Sequence, residues 1–167
     1  MQGALNGDSD HPAMPRTPGE TAADAAACVA AGATLLHLHA FGDDGAETLS
    51  EREVGRAIQA VRRACPGVPI SMTTFAQIEP DPAKRLATVS SWAELPDLVP
   101  ANQGEDGVVE LTDLLLARGV GVEACVFTVA EAEGLLGRGR GHRHPGAAPD
   151  PVVITAWPTS DQEADPH

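Results

Sequence analysis

Apolar and polar positions along this chain follow two different periods. At Val54, Ala57, Ile58 and Val61 the apolar residues recur three and four apart, the spacing that lines one face of an α-helix. Elsewhere they form short runs: GALN (Gly3 to Asn6), TLLHLH (Thr34 to His39), PISMTT (Pro69 to Thr74), LVPAN (Leu98 to Asn102) and GVEACVF (Gly121 to Phe127). Their length and flanking turn residues predict strands. Helix starts are written in the side chains. TPGE at Thr17 to Glu20 offers a capping hydroxyl, a proline at the first helical position and a carboxylate three residues on, opening the alanine-rich run Thr21 to Ala31. The same box is read at SERE (Ser50 to Glu53) and at TVAE (Thr128 to Glu131), the latter opening a short helix predicted to stop at Gly137. Two further helices are predicted, from Asp81-Pro82 to about Trp92 and from about Val108 to Arg118, where Gly119 ends the second.

Strand and helix thus alternate in units of about 25 to 35 residues, the signature of βα units around a parallel sheet. Five such units are visible, and each strand runs at its C-terminal end into polar residues, where folds of this class place their sites. The pattern stops near Arg138. Residues 138–167 read as an irregular tail in which only PVVITAW (Pro151 to Trp157) can form a strand. A closed eight-stranded barrel needs about 250 residues, so length alone favours a smaller open α/β sheet.

Composition narrows the class. The chain has 167 residues, 43% of them hydrophobic, enough for one ordinary domain. No stretch approaches the roughly 20 apolar residues of a membrane span, and the N-terminus lacks the features of a secretory leader; a cytoplasmic location is expected. Eleven basic against 24 acidic residues give a formal charge of −13, which repels nucleic-acid phosphates and anionic lipid. The one basic cluster, Arg138, Arg140 and Arg143 with His142 and His144, lies in the tail. Cys28, Cys65 and Cys125 have no metal-finger spacing and are expected as reduced thiols.

The candidate chemistry sits in LLHLHAFGDDG, Leu35 to Gly45. Side chains alternate on a strand, so His37 and His39 point the same way, about 7 Å apart, and can chelate one divalent ion. From the spacing alone, which is a weak motif, a structural histidine beside a histidine on a loop rim, neither binding metal, is the alternative reading. A catalytic zinc site also needs a third protein donor.

ALNGDSDHPAMPRTPGE, DAAACVAAGATLLHLHAFGDDGAETLS, AVRRACPGVPISMTT, WAELPDLVPANQGEDG and LLARGVGVEACVFTVAEAE follow one another over about Ala4 to Leu136. In that order they resemble the β-keto acid cleavage enzyme family. The resemblance implies a parallel (β/α) barrel of the TIM type, here incomplete with about five of eight units, and a zinc ion held by His37 and His39 on the second strand. It implies an acyl transfer in which a β-keto acid and acetyl-CoA, as co-substrate, give acetoacetate and a new acyl-CoA, with zinc as Lewis acid. By the same resemblance Thr73, Thr74 and Asn102 contact substrate, Glu105 and Glu123 are catalytic, and the enzyme is a homo-oligomer without nucleic-acid or membrane partners. From the residues themselves, Thr73 and Thr74 equally suit a strand, Glu105 a helix start, and Glu123 an outward ion pair. His11 falls on a loop and reads as exposed.

The chain departs from the family pattern at the mouth of the barrel. Where arginine and aspartate usually follow the histidine pair, Ala40, Phe41 and Gly42 stand; Phe75 and Cys125 each replace a glycine. The family's third zinc ligand, a late glutamate, falls beyond the region of resemblance, and the abrupt change near Arg138 is what a frameshift would produce. A non-catalytic truncated remnant with a partial metal site, and a metal-dependent hydrolase, are therefore the alternative readings.

Overall fold

The computed structural model describes residues 14–139 and 152–156, with side chains over 14–137. The first helix, α1 (Pro18–Ala30), opens on a complete capping box: the Thr17 hydroxyl accepts from the Glu20 amide at 3.2 Å, and the Glu20 carboxylate accepts from the Thr17 amide at 3.0 Å. Then follow β1 (Leu36–Leu38), α2 (Glu51–Ala64), β2 (Ile70–Met72), α3 (Pro82–Ser90), β3 (Leu98–Asn102), α4 (Val108–Ala117), β4 (Gly121–Val126), α5 (Val129–Gly139) and β5 (Val152–Ala156). Each lies inside or beside its predicted run. The predicted strand at Gly3 to Asn6 and the loop bearing His11 fall outside the described residues.

Two helix ends differ from expectation. Ser50 caps α2 by accepting from the Glu53 amide, but the Glu53 carboxylate does not complete the box. Glu53 is instead buried and pairs with Arg52 and Arg56. Helix α5 has the full box, with Glu131 accepting from Phe127 and Thr128 amides, yet runs past Gly137 to Gly139. A glycine costs only about 1 kcal/mol inside a helix, too little to stop this one. Gly119 does terminate α4: its φ of 79° suits a residue without Cβ, and the amides of Gly119 and Val120 close back on Leu116 and Leu115.

All five strands are parallel and lie in the sheet in chain order, β1-β2-β3-β4-β5. The order never reverses, unlike that of a doubly wound sheet. Register sets two faces. Leu36, Leu38, Ile70, Met72, Val99, Ala101 and Val122 belong to one core with Val54, Ile58 and Val61 of α2 and Leu111 and Leu115 of α4. Burying each of the three α2 side chains contributes about 1.5–3 kcal/mol. The alternate residues form the second face, where His37 pairs in register with Ser71, Ser71 with Leu98, and Pro100 with Glu123. That face is polar at its C-terminal end.

Trp92, 1% exposed, closes the core at the end of α3 and donates from its indole nitrogen to the Leu49 carbonyl at 2.8 Å. Trp92→Phe keeps most of the ring but leaves that buried carbonyl unsatisfied, and a loss of about 1–3 kcal/mol is expected. Denaturant titration at unchanged slope would measure it. Among the described residues no helix is long and apolar enough to cross a membrane.

Candidate metal centre and strand-end cluster

His37 lies within β1 and His39 just beyond its C-terminal end, both half-buried. Their rings stand edge to face with centroids 5.1 Å apart, and the two Nε2 atoms approach to 3.2 Å. Two nitrogen donors on one tetrahedral zinc ion stand about 3.3 Å apart, from bond lengths of about 2.0–2.1 Å. The pair therefore has the bite of a chelate. Its outer nitrogens are occupied from behind. His37 Nδ1 is 3.0 Å from the Ser71 hydroxyl of β2, and His39 Nδ1 is 3.1 Å from the Glu47 carboxylate. The second contact is short but poorly aligned for a hydrogen bond. Burial, reinforced by the neighbouring His39, pushes the His37 pKa down to about 4. His37 is thus neutral near pH 7, the form in which imidazole binds a metal.

A small hairpin brings Glu47 to this place. After His39 the chain turns through Asp43, Asp44 and Gly45, with Gly45 at φ 79°, and returns antiparallel so that Phe41 pairs with Glu47. Gly42 and Thr48 amides donate to Ala46 and Ala40 carbonyls at 2.8 and 2.9 Å. A three-residue loop with a left-handed glycine is a common hairpin connection. Phe41 is buried under the Arg16 guanidinium, 5.5 Å from the ring centroid, and Arg16 also donates to the Gly45 carbonyl at 2.6 Å. An aromatic ring thus packs where the resemblance noted in the sequence leads us to expect charge.

The second cluster lies at the ends of β2 and β3. Glu105 accepts from the Asn102 amide group at 2.8 Å and from the Ala76 backbone amide at 3.3 Å, and its other oxygen is 3.7 Å from Arg85. Arg85, 1% exposed, donates to the carbonyls of Glu79 and Asp106. Asn102 and Glu105, each singled out in the sequence, are therefore brought together. Thr73 and Thr74 are buried: the Thr73 hydroxyl accepts from the Phe75 amide at 3.3 Å, and the Thr74 hydroxyl donates to the Pro100 carbonyl at 3.3 Å. The Thr73 amide donates to the Leu38 carbonyl, which sets this residue beside the histidine strand. Glu123, half-buried on β4, neighbours Cys125, whose thiol is pushed up to about 11 by burial and then by Glu123. Among the described residues Cys28, Cys65 and Cys125 form no disulfide.

Sequence reading missed Ser71, Glu47 and Arg85. Ser71 could be found only from the β1–β2 register, and Glu47 only from the hairpin that GDDG encodes. Among the described residues no group of three or more His, Cys, Asp and Glu side chains gathers to hold a metal, so the histidine pair stands there as two donors.

The beta-keto acid cleavage enzyme family model matches residues 1–137, most of the chain. The chain belongs to that family. Within the beta-keto acid cleavage enzymes it is similar to the 3-keto-5-aminohexanoate cleavage enzyme of Fusobacterium nucleatum, 32% identical over 70% of this chain and 47% of the relative. It is similar to the 3-oxoadipate:acetyl-CoA acetyltransferase of Cupriavidus necator, 33% identical over 44% of this chain and 26% of the relative. A third likeness is to the 3-keto-5-aminohexanoate cleavage enzyme of Acetoanaerobium sticklandii, 31% identical over 53% of this chain and 32% of the relative. The matched segment spans at most about half the length of these relatives.

Proposed function

We propose that this chain is part of a TIM-type (β/α)8 barrel that transfers an acyl group between a β-keto acid and acetyl-CoA, giving acetoacetate and an acyl-CoA. Support for the barrel comes from the parallel strands laid down in chain order, with one apolar face under helices and one polar face. Support for the chemistry comes from family membership and from the acetyltransferase activity by which the Cupriavidus relative is named. The observation that carries the site is the 3.2 Å approach of two Nε2 atoms at the C-terminal end of β1, the end at which βα barrels place their reactions.

In this reading His37 and His39 hold a zinc ion. When bound, zinc supplies Lewis-acid polarisation of a keto carbonyl. The protein's own groups supply the rest. Ser71 and Glu47 hold the two imidazoles from behind, as outer partners of metal-binding histidines do. Glu105, fixed by two hydrogen-bond donors and the Arg85 cation, holds the Asn102 amide at the mouth, where it would meet substrate with Thr73 and Thr74. Glu123 and Glu105 would be the reaction's carboxylates, Glu123 placed on the polar face to carry a proton. The partners are a small β-keto acid and a CoA thioester, and the working form is a homo-oligomer.

The test is acyl exchange. Protein loaded with Zn²⁺ and given isotope-labelled acetyl-CoA with a panel of β-keto acids is expected to yield labelled acetoacetate and a new acyl-CoA, read by mass spectrometry. Zinc binding without acyl exchange would instead mark a non-catalytic remnant. Hydrolysis to free acid and CoA would point to a hydrolase.

A further inference from the structure

We infer that Glu47 is a positioning residue whose carboxylate sets the ring of His39 so that Nε2, rather than the ring carbon Cε1, faces His37. The use of this arrangement rests on the metal-site reading above; its geometry does not. An imidazole can turn about its Cβ–Cγ bond, a broad torsion that packing alone holds loosely. Two ring orientations, related by a flip, therefore compete at His39. In the observed one Nδ1 lies 3.1 Å from Glu47 Oε1, and both side chains are largely shielded, at 11% and 14% exposure. In the flipped one the carboxylate would face ring carbon and the contact would be lost. A charge-assisted contact in such shielded surroundings outweighs one in water, so Glu47 selects the orientation seen.

The selection is built into the backbone. Register in the hairpin is fixed by the three-residue turn, by the Gly42–Ala46 and Thr48–Ala40 hydrogen bonds and by the Phe41–Glu47 pairing. Glu47 is thereby returned to within reach of a residue eight positions earlier. Arg16 anchors the turn through the Gly45 carbonyl and covers Phe41. Few freedoms remain to move the carboxylate away.

The test uses ¹⁵N-labelled full chain without metal, in which long-range ¹H–¹⁵N spectra report the tautomer of each histidine ring. His39 is expected as the Nδ1–H form in the parent and in Glu47→Gln, whose amide oxygen still accepts, and as a mixture in Glu47→Ala. Glu47→Ser, too short to reach the ring, serves the same end if the alanine chain does not fold. Cobalt titration gives the second readout: affinity for Co²⁺ should fall roughly 10–100-fold in Glu47→Ala, the loss usual for an outer partner of a metal-binding histidine, and recover in part in Glu47→Gln. A tautomer unchanged in both short variants would overturn the inference. A parent that binds no Co²⁺ while its tautomer still follows residue 47 would remove the metal reading and leave the positioning role standing.

Discussion

Replacing His37 and His39 together by alanine is expected to abolish tight binding of Zn²⁺ or Co²⁺ while leaving the sheet folded. Both donors of the 3.2 Å bite vanish in this variant, so the loss should exceed the roughly 10–100-fold that removal of an outer partner costs. The fold should survive because the pair lies on the polar face, away from the core that Leu36 and Leu38 build with the helices. One cost is foreseeable. Ser71, buried, loses its imidazole contact, and an unsatisfied buried hydroxyl costs about 1–3 kcal/mol. Metal analysis after dialysis, paired with thermal unfolding, separates the two effects. Equal metal content in parent and variant would place the ion elsewhere.

The second large effect is expected at Arg85. Arg85→Met preserves most of the volume and removes the guanidinium, leaving the Glu79 and Asp106 carbonyls without their donor and Glu105 without its cation. Removing one member of a buried pair costs about 3–5 kcal/mol, a large share of the roughly 5–15 kcal/mol that stabilises an ordinary domain. The midpoint of urea unfolding should fall accordingly. A near-silent substitution would mean that water serves those carbonyls as well as arginine does. Because Glu105 also holds Asn102 and the Ala76 amide, the same change should loosen the loops after β2 and β3, seen as faster amide exchange there.

What the sequence disclosed and what it hid divide by range. The cap at Thr17 with Glu20 and the stop at Gly119 are local, because each is settled by residues within one or two turns. So is the common face of His37 and His39, which follows from alternation along one strand. The SERE motif at Ser50 reads as a full box because only the chain order is visible there; the Glu53 carboxylate is buried and pairs with Arg52 and Arg56 instead, which leaves the cap half made. Ser71 behind His37 depends on a register between strands 34 residues apart in sequence, and nothing local states it. Arg85 is harder still. A cation in a short helix normally lies in solvent, and only the closing of the Glu79 and Asp106 loops over it makes it interior.

The strictly sequential strand order has a kinetic corollary. Each strand pairs with the strand made just before it, so every native pairing closes over a single βα crossover and none waits for a distant part of the chain. The imidazole pair, its hairpin and its serine all lie between residues 37 and 71. Every residue of the grip is therefore present once β2 has been synthesised, and a nascent chain arrested after that point can be challenged with cobalt to ask whether the later units are needed to shape it.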